Sequence, residues 1–183
     1  YDLNQKKQLK SLKLFDGKIT SIVSYKDSQF FISGNNKNIY LVDGFSGKII
    51  KKVSTRTALE EFLIFSGLNH CPVDQINKIL YIPSKRILIT SHGWDYCSKP
   101  QIKFWNIDSW KIKNEINKLD SPVYQMVWNS KSQEVVLADG KTTLRTINLS
   151  DFSLGKKILL SRSFDLYEKN KLHKIVSGYP WLK

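Results

Sequence analysis

The chain has 183 residues, 41% apolar and 12% aromatic, which suits a folded domain with a sizeable core and excludes a disordered polar tail. Its 29 basic and 16 acidic residues leave a formal charge of +13, which points to an acidic partner such as RNA, DNA, an anionic membrane or an acidic protein, and answers equally to solubility alone. Two cysteines, Cys71 and Cys97, exclude a disulfide scaffold and fit a reducing compartment, and no apolar run is long enough for a membrane helix.

The elements follow in a recurring order. Residues 19–25 are a β-branched run, closed by the polar turn Lys26-Asp27-Ser28. A second run, 30–33, is broken by Gly34-Asn35-Asn36. A third, 39–42, ends at Asp43-Gly44, and a fourth, 48–53, follows Ser46-Gly47. Short strands separated by turn residues at this rhythm predict an antiparallel meander. The order returns at 76–82, 87–91, 102–107 and 111–116, and again at 123–128, 134–138 and 144–149.

The repeat is also visible in single residues. Tyr1-Asp2-Leu3 is followed by Leu12, Ile19 and Ile22, and Trp105-Asn106-Ile107 by Ile116, Val123 and Met126. Counted from Tyr1 and from Trp105, the offsets are 11, 18 and 21 in both. The third-strand starts Ile102 and Leu144 lie 42 apart, inside the roughly 40–45-residue period of propeller blades. Ile39 and Ile102 lie 63 apart, so about 20 residues are inserted there.

These residues resemble a WD-repeat β-propeller. Trp105-Asn106 stands where the Trp-Asp dipeptide belongs, with Tyr1-Asp2 and Val42-Asp43 at equivalent places. Phe31-Ile32-Ser33-Gly34 is similar to the second-strand block of that family, and Gly47-Lys48 to the turn after the dipeptide. The resemblance implies an all-β fold of four-stranded antiparallel blades, about three full ones plus part of another, over residues 1–155. Residues 156–183 read as a basic segment, seven basic against two acidic, and as the start of a further blade. A β-sandwich is the alternative for strands at this spacing. Asp16-Gly17 and Asp120-Ser121 replace the family's Gly-His pair, and Asn36 replaces its turn aspartate. The His–Asp–Trp hydrogen-bond network of regular repeats is therefore not expected, and apolar packing is left to hold the blades. Three to four blades do not close a ring of the usual size, so the sequence reads as part of a longer chain.

Alternating strand direction sorts the loops onto two faces. The two long insertions, 54–72 and 92–100, fall on one of them. Within the first, Thr57 and Glu60 form a capping box ahead of an apolar stripe of Leu59, Phe62, Leu63 and Phe65, with Gly67 as a stop, predicting a short helix. The second presents Trp94 and Tyr96, residue types that anchor protein interfaces. Phe62, Phe65, Trp94 and Tyr96 are the candidate partner-binding residues of one composite surface, with tucking between the blades as the alternative. Lys26, Lys85, Arg86 and Lys131 occupy first-to-second turns on the opposite face, with Lys6, Lys7, Lys48 and Lys111 at third-to-fourth turns. The first four are candidate anion-binding residues, although no stacking aromatics accompany them, which favours a solvated rim.

His70, Cys71, His92 and Cys97 fall in the two insertions, but their spacing matches no compact zinc motif, and no metal or cofactor is expected. No phosphate-cradling glycine loop, nucleophile elbow or acid/base pair stands out, so an enzyme is not expected. The Phe-Arg-Arg-Gly motif of phosphoinositide-binding propellers is absent, as is the Trp-Asp-x-Arg motif of propellers serving ubiquitin ligases. The resemblance implies a non-catalytic, intracellular scaffold organising a multiprotein complex in the nucleus or cytoplasm. The basic balance directs the first specific expectation to a nuclear ribonucleoprotein or ribosome-assembly complex, with RNA or anionic lipid as further partners of the basic turns. The alternatives are a membrane-trafficking or autophagy module, whose lysines meet anionic lipid, and a propeller appended to a larger enzyme.

Overall fold

The computed structural model describes residues 14, 15, 17–55, 75–93 and 99–160. These carry β1 (Ile19–Lys26), β2 (Gln29–Gly34), β3 (Asn38–Asp43), β4 (Ile49–Ser54), β5 (Ile76–Ile82), β6 (Ile87–His92), β7 (Gln101–Asn106), β8 (Lys111–Ile116), β9 (Val123–Asn129), β10 (Glu134–Asp139), β11 (Thr143–Asn148) and β12 (Ile158–Leu159). Each strand pairs antiparallel with its sequence neighbour, giving three four-stranded meanders, β1–β4, β5–β8 and β9–β12. The β-branched runs seed these strands, and their bounds agree with the sequence expectation to within one or two residues. The last strand, Ile158–Leu159, pairs with β11. The third sheet therefore extends past the boundary expected at residue 155, and the rest of the basic segment, 161–183, lies outside the described residues.

The turns explain why a degenerate repeat still folds. The third strand of each sheet ends in Asp43, Asn106 or Asn148. Asp43 Oδ1 accepts from the Ser46 amide at 2.7 Å, Asn106 Oδ1 from the Asp108 and Ser109 amides at 2.9 and 3.0 Å, and Asn148 Oδ1 from the Ser150 amide at 2.9 Å. This Asx turn needs only a carbonyl-type oxygen two or three residues upstream, so asparagine serves as well as aspartate. Four residues after each of these positions the backbone turns left-handed, at Gly47 (φ 74°), Trp110 (φ 56°) and Phe152 (φ 60°). Glycine takes that conformation freely, whereas a bulky aromatic is strained in it. Both aromatics gain contacts on the preceding sheet: Trp110 meets Phe31 edge-on at 5.9 Å, and Phe152 meets Phe104 at 4.8 Å.

Packing runs from sheet to sheet. β1 and β2 lie against β5, and β5 and β6 against β9, so the first strands neighbour one another along the stack. Between the first two sheets sit Phe31, Ile39, Leu41, Ile79, Leu88, Trp105 and Ile107. Between the second and third sit Ile87, Ile89, Phe104, Met126, Val135, Leu137 and Ile147. β6, covered on both faces, is buried at all six positions, while β4 is exposed at five of six. Each fully buried aliphatic contributes roughly 1.5–3 kcal/mol, so these two layers dominate stability over the exposed ion pairs.

One polar network crosses the core. Trp105 Nε1 donates to Thr90 Oγ1 at 2.9 Å, and Thr90 Oγ1 lies 2.7 Å from His92 Nε2. All three side chains are buried. The sequence reading expected no tryptophan–histidine network, because the usual histidine position ahead of the first strand is not histidine. Here the ring arrives from the end of β6 instead, on the same strand and face as the threonine. In the third sheet Asp139 occupies the turn position: its Oδ1 accepts from the Lys141 and Thr143 amides, both at 3.0 Å. In the first sheet Asn36 substitutes for the aspartate, donating to the Tyr40 hydroxyl at 2.8 Å and accepting from the Asn38 amide.

Candidate partner-binding surfaces

The insertions are anchored at their bases. Thr55 N and Oγ1 donate to the Lys37 carbonyl at 2.9 and 3.0 Å, and Thr55's own carbonyl accepts from Lys103 Nζ at 2.9 Å. Lys103 is buried on β7 and lies 3.8 Å from Glu115. The residue that opens the first insertion is therefore tied to the strand that closes the second. Gly93 begins the second insertion at φ 110°, and its carbonyl accepts from Asn77 Nδ2 at 2.8 Å. A Cβ there would lie 2.9 Å from Pro100 Cα, so the base of this loop is pinched and needs glycine. Phe62, Phe65, Trp94 and Tyr96 themselves, with the expected capping box, lie outside the described residues, as do His70, Cys71 and Cys97. His92, the fourth member of that group, is in the core beside Thr90.

The face of first-to-second and third-to-fourth turns holds Lys26, Lys85, Arg86 and Lys131, all exposed. It also holds Asp27, Asp43, Asp108 and Asp151. With Lys48 and Lys111 of the third-to-fourth turns, six positive charges meet four negative ones there. Arg86 forks onto Asp108, with Nε 2.8 Å from Oδ2 and a second bond from Nη2 to Oδ1. That hydrogen bond is the main cause holding the Asp108 carboxyl below its ordinary range, with the Lys26 charge adding to it, and it pushes the guanidinium further up. Lys26 Nζ lies 5.2 Å from the Tyr25 ring centroid. The Ser46 amide and hydroxyl lower Asp43, and those of Ser153 lower Asp151. Two of the four candidate anion-binding residues are thus engaged within the chain, and the four aspartates offset the charge of the candidate set.

More of the unbalanced charge lies on the outermost strands and their flanks. Lys48, Lys51, Lys52, Lys111, Lys113, Lys118 and Lys156 are exposed, and Lys157 is half-buried. Within these stretches Glu115 is the one carboxylate, and it lies near buried Lys103. Lys157 Nζ reaches Asp120 Oδ2 at 3.0 Å, and Arg145 Nη2 reaches the same oxygen at 2.6 Å. The Lys157 hydrogen bond, then the Lys157 and Arg145 charges, lower Asp120.

No family model matches the sequence, and no curated protein matches it. Solved structures do. The structure of U3-55K superposes with a TM-score of 0.64 at 14% identity, over 82% of this chain and 42% of that one. The crystal structure of the RRP9 WD40 repeats superposes at 0.63 and 13% identity, over 82% of this chain and 41% of that one. The fold is that of a WD-repeat β-propeller. The chain spans about two-fifths of the length of either structure.

In this WD-repeat frame the described residues make three blades, with β4, β8 and β12 outermost. Sequence reasoning found the dipeptide positions and missed two features. One is the Thr90–His92 pair, whose signal was a polar Thr-Ser-His run ending an apolar strand. The other is the outer-strand lysines Lys51, Lys52 and Lys113, visible in Lys48-Ile49-Ile50-Lys51-Lys52 and Lys111-Ile112-Lys113, of which the sequence reading uses only the turn members Lys48 and Lys111. Among the described residues no three His, Cys, Asp or Glu side chains come together as a metal site, and no helix is long and apolar enough to cross a membrane.

Proposed function

We propose that this chain is a non-catalytic scaffold that organises a multiprotein complex, and that the complex is a nuclear ribonucleoprotein of the ribosome-assembly kind. The observation that carries the reading is a stack of WD-repeat blades with lysines on two outer strands, Lys51 and Lys52 on β4 and Lys111 and Lys113 on β8, and with Lys156 and Lys157 just ahead of the third, in a chain with a formal charge of +13. Such a stack offers broad, pre-formed surfaces to several partners at once, at little ordering cost on binding. The composite insertion surface of Phe62, Phe65, Trp94 and Tyr96 is proposed as a second docking face, on the opposite side from the turn residues Lys26, Lys85, Arg86 and Lys131.

The test is affinity purification of the tagged full-length protein from nuclear extract, with and without ribonuclease. Stoichiometric partner proteins together with ribosomal RNA precursors are expected. A monodisperse monomer carrying neither would overturn the scaffold reading. Partners that co-purify with membranes and float with vesicles would replace it with the trafficking alternative.

A further inference from the structure

The outer strands bear side chains that edge protection does not explain. Lysines and irregularities on an edge strand keep sheets from pairing with other chains, and both are present here. Val42 pairs with Ile49 and Leu41 with Lys51, leaving Ile50 as the extra residue of a bulge. Trp105 pairs with Ile112 and Phe104 with Asn114, leaving Lys113 at the same place in the repeat. β12 has two residues. These edges are built against strand addition. Exposed aliphatic side chains work against that purpose, yet each outer strand carries them: Ile49 is 39% exposed, Ile50 46%, Ile112 38%, Ile158 56% and Leu159 73%.

Lysine beside exposed aliphatic therefore recurs on three blades. Single-stranded RNA uses the lysines but gains little from isoleucine, since bases stack on aromatic rings. A bilayer needs its apolar contacts in one plane, whereas these are shared among three separate sheets. An acidic protein segment with interleaved aliphatic residues uses both features, its carboxylates meeting Lys48, Lys51 and Lys52 and its apolar side chains meeting Ile49 and Ile50. Because the bulges interrupt the backbone edge, recognition runs through side chains and not through an added strand.

We infer that the outer strands of these blades, β4 foremost, bind an acidic, aliphatic-bearing segment of a partner protein. The inference rests on the scaffold reading and names the chemistry of one partner.

The experiment titrates the full-length protein into a short fluorescein-labelled peptide alternating glutamate and leucine, followed by anisotropy. A glutamate–serine peptide, a lysine–leucine peptide, a single-stranded RNA oligonucleotide and phosphatidylserine vesicles are run alongside. The double variants Lys51→Glu/Lys52→Glu and Ile49→Ser/Ile50→Ser are each expected to weaken the glutamate–leucine peptide by about tenfold. The turn-face control Lys85→Glu/Lys131→Glu should leave it unchanged, and circular dichroism melts confirm that the variants fold. The charge-reversed variant should gain affinity for the lysine–leucine peptide. Equal binding of the glutamate–serine peptide overturns the inference, as does indifference to both outer-strand variants. RNA or vesicles binding with the same lysine dependence, in place of the peptide, overturns it too. If the Lys51→Glu/Lys52→Glu protein still retains all its partners from nuclear extract, the surface is wrong and the scaffold reading stands. If the wild-type protein retains none, the scaffold reading itself fails.

Discussion

Replacing Thr90 with valine tests whether the buried Trp105–Thr90–His92 chain holds the second blade together. The substitution keeps shape and β-branching and removes only the hydroxyl. That oxygen lies 2.9 Å from Trp105 Nε1 and 2.7 Å from His92 Nε2, and all three groups are shut away from water. Valine leaves both ring nitrogens without this partner. An unsatisfied buried donor or acceptor costs about 1–3 kcal/mol, so Thr90→Val should cost about 2–4 kcal/mol, allowing for partial relaxation. In urea, with a slope of about 2 kcal/mol/M, the midpoint should fall by about 1–2 M. Combining it with Trp105→Phe sharpens the test, because phenylalanine has no N–H to strand. In that background Thr90→Val should cost about 1–2 kcal/mol less. Equilibrium unfolding of the four proteins, followed by far-ultraviolet circular dichroism, gives the cycle. A Thr90→Val cost below about 0.5 kcal/mol, or additivity of the two substitutions within about 0.3–0.5 kcal/mol, would refute the network as a stabilising unit.

Other consequences are open to the same kind of measurement. Phe31→Ala removes a fully buried ring that meets Tyr25 at 4.8 Å, Tyr81 at 5.3 Å and Trp110 at 5.9 Å, and should cost about 3–5 kcal/mol in chemical unfolding. A loss under about 1 kcal/mol would mean that the first two blades do not pack through this cluster. Gly34→Ala places a Cβ 2.5 Å from Phe15 Cε2 and Cζ and 2.7 Å from the Lys18 carbonyl, against a Phe15 ring stacked on Tyr40 at 4.8 Å. It should cost about 1–3 kcal/mol, and an unchanged melting temperature would show that Phe15 has room to move. Asp43, Asp108, Asp120, Asp139 and Asp151 all have lowered pKa values. For Asp139 burial pushes upward, and the bonds led by the Thr143 hydroxyl outweigh it. Groups depressed in the folded state contribute stability above the unfolded carboxylate value of about 4, and lose it as pH falls through their lower folded values. Melting temperature should therefore hold from pH 7 to about 5 and drop below about 4; a steep loss between pH 7 and 5 would point to other groups.

Much of the fold was legible because its two governing signals are local. The β-branched runs at 19–25, 39–42 and 87–91 alternate with turn residues, and the positions of Asp43, Asn106 and Asn148 repeat with the strands they terminate. An Asx turn needs an acceptor at one position, so a single sequence displays it. The Thr90–His92–Trp105 chain was not legible, since it depends on register: Leu88 faces Trp105 in the ladder while the Trp105 ring reaches Thr90 two residues along. Nor did spacing show that Lys103, in a strand otherwise reading as core, would extend its ammonium to the Thr55 carbonyl of the neighbouring blade. Lysine stems pack like aliphatic chains, and only the position of the head group distinguishes a strut from a snorkelling surface residue.

The charge distribution shows why a repeat spacing predicts fold better than partner. Sorting loops by face groups Lys26, Lys85, Arg86 and Lys131 in first-to-second turns, but Asp27, Asp43, Asp108 and Asp151 occupy turns at the same end of the sheets. Asp27 and Asp43 dilute the basic turns already in the sequence, and the structure adds Asp108 and Asp151; Asp43 and Asp151 cap turns, and their charge enters the surface field all the same. Although Lys52 lies over the Tyr40 ring at 6.0 Å, as Lys113 of β8 lies over Phe152 at 5.6 Å, a lysine of β4 has no carboxylate within its own strand or at its flank from residue 48 to 54. Its identity is left to solubility and to binding. Solubility accounts for the lysines of β4 and β8 and for their bulges. It does not account for Ile49, Ile50 and Ile112 exposed among them, and that mismatch directs the search for a partner to the outer strands rather than to the basic turns.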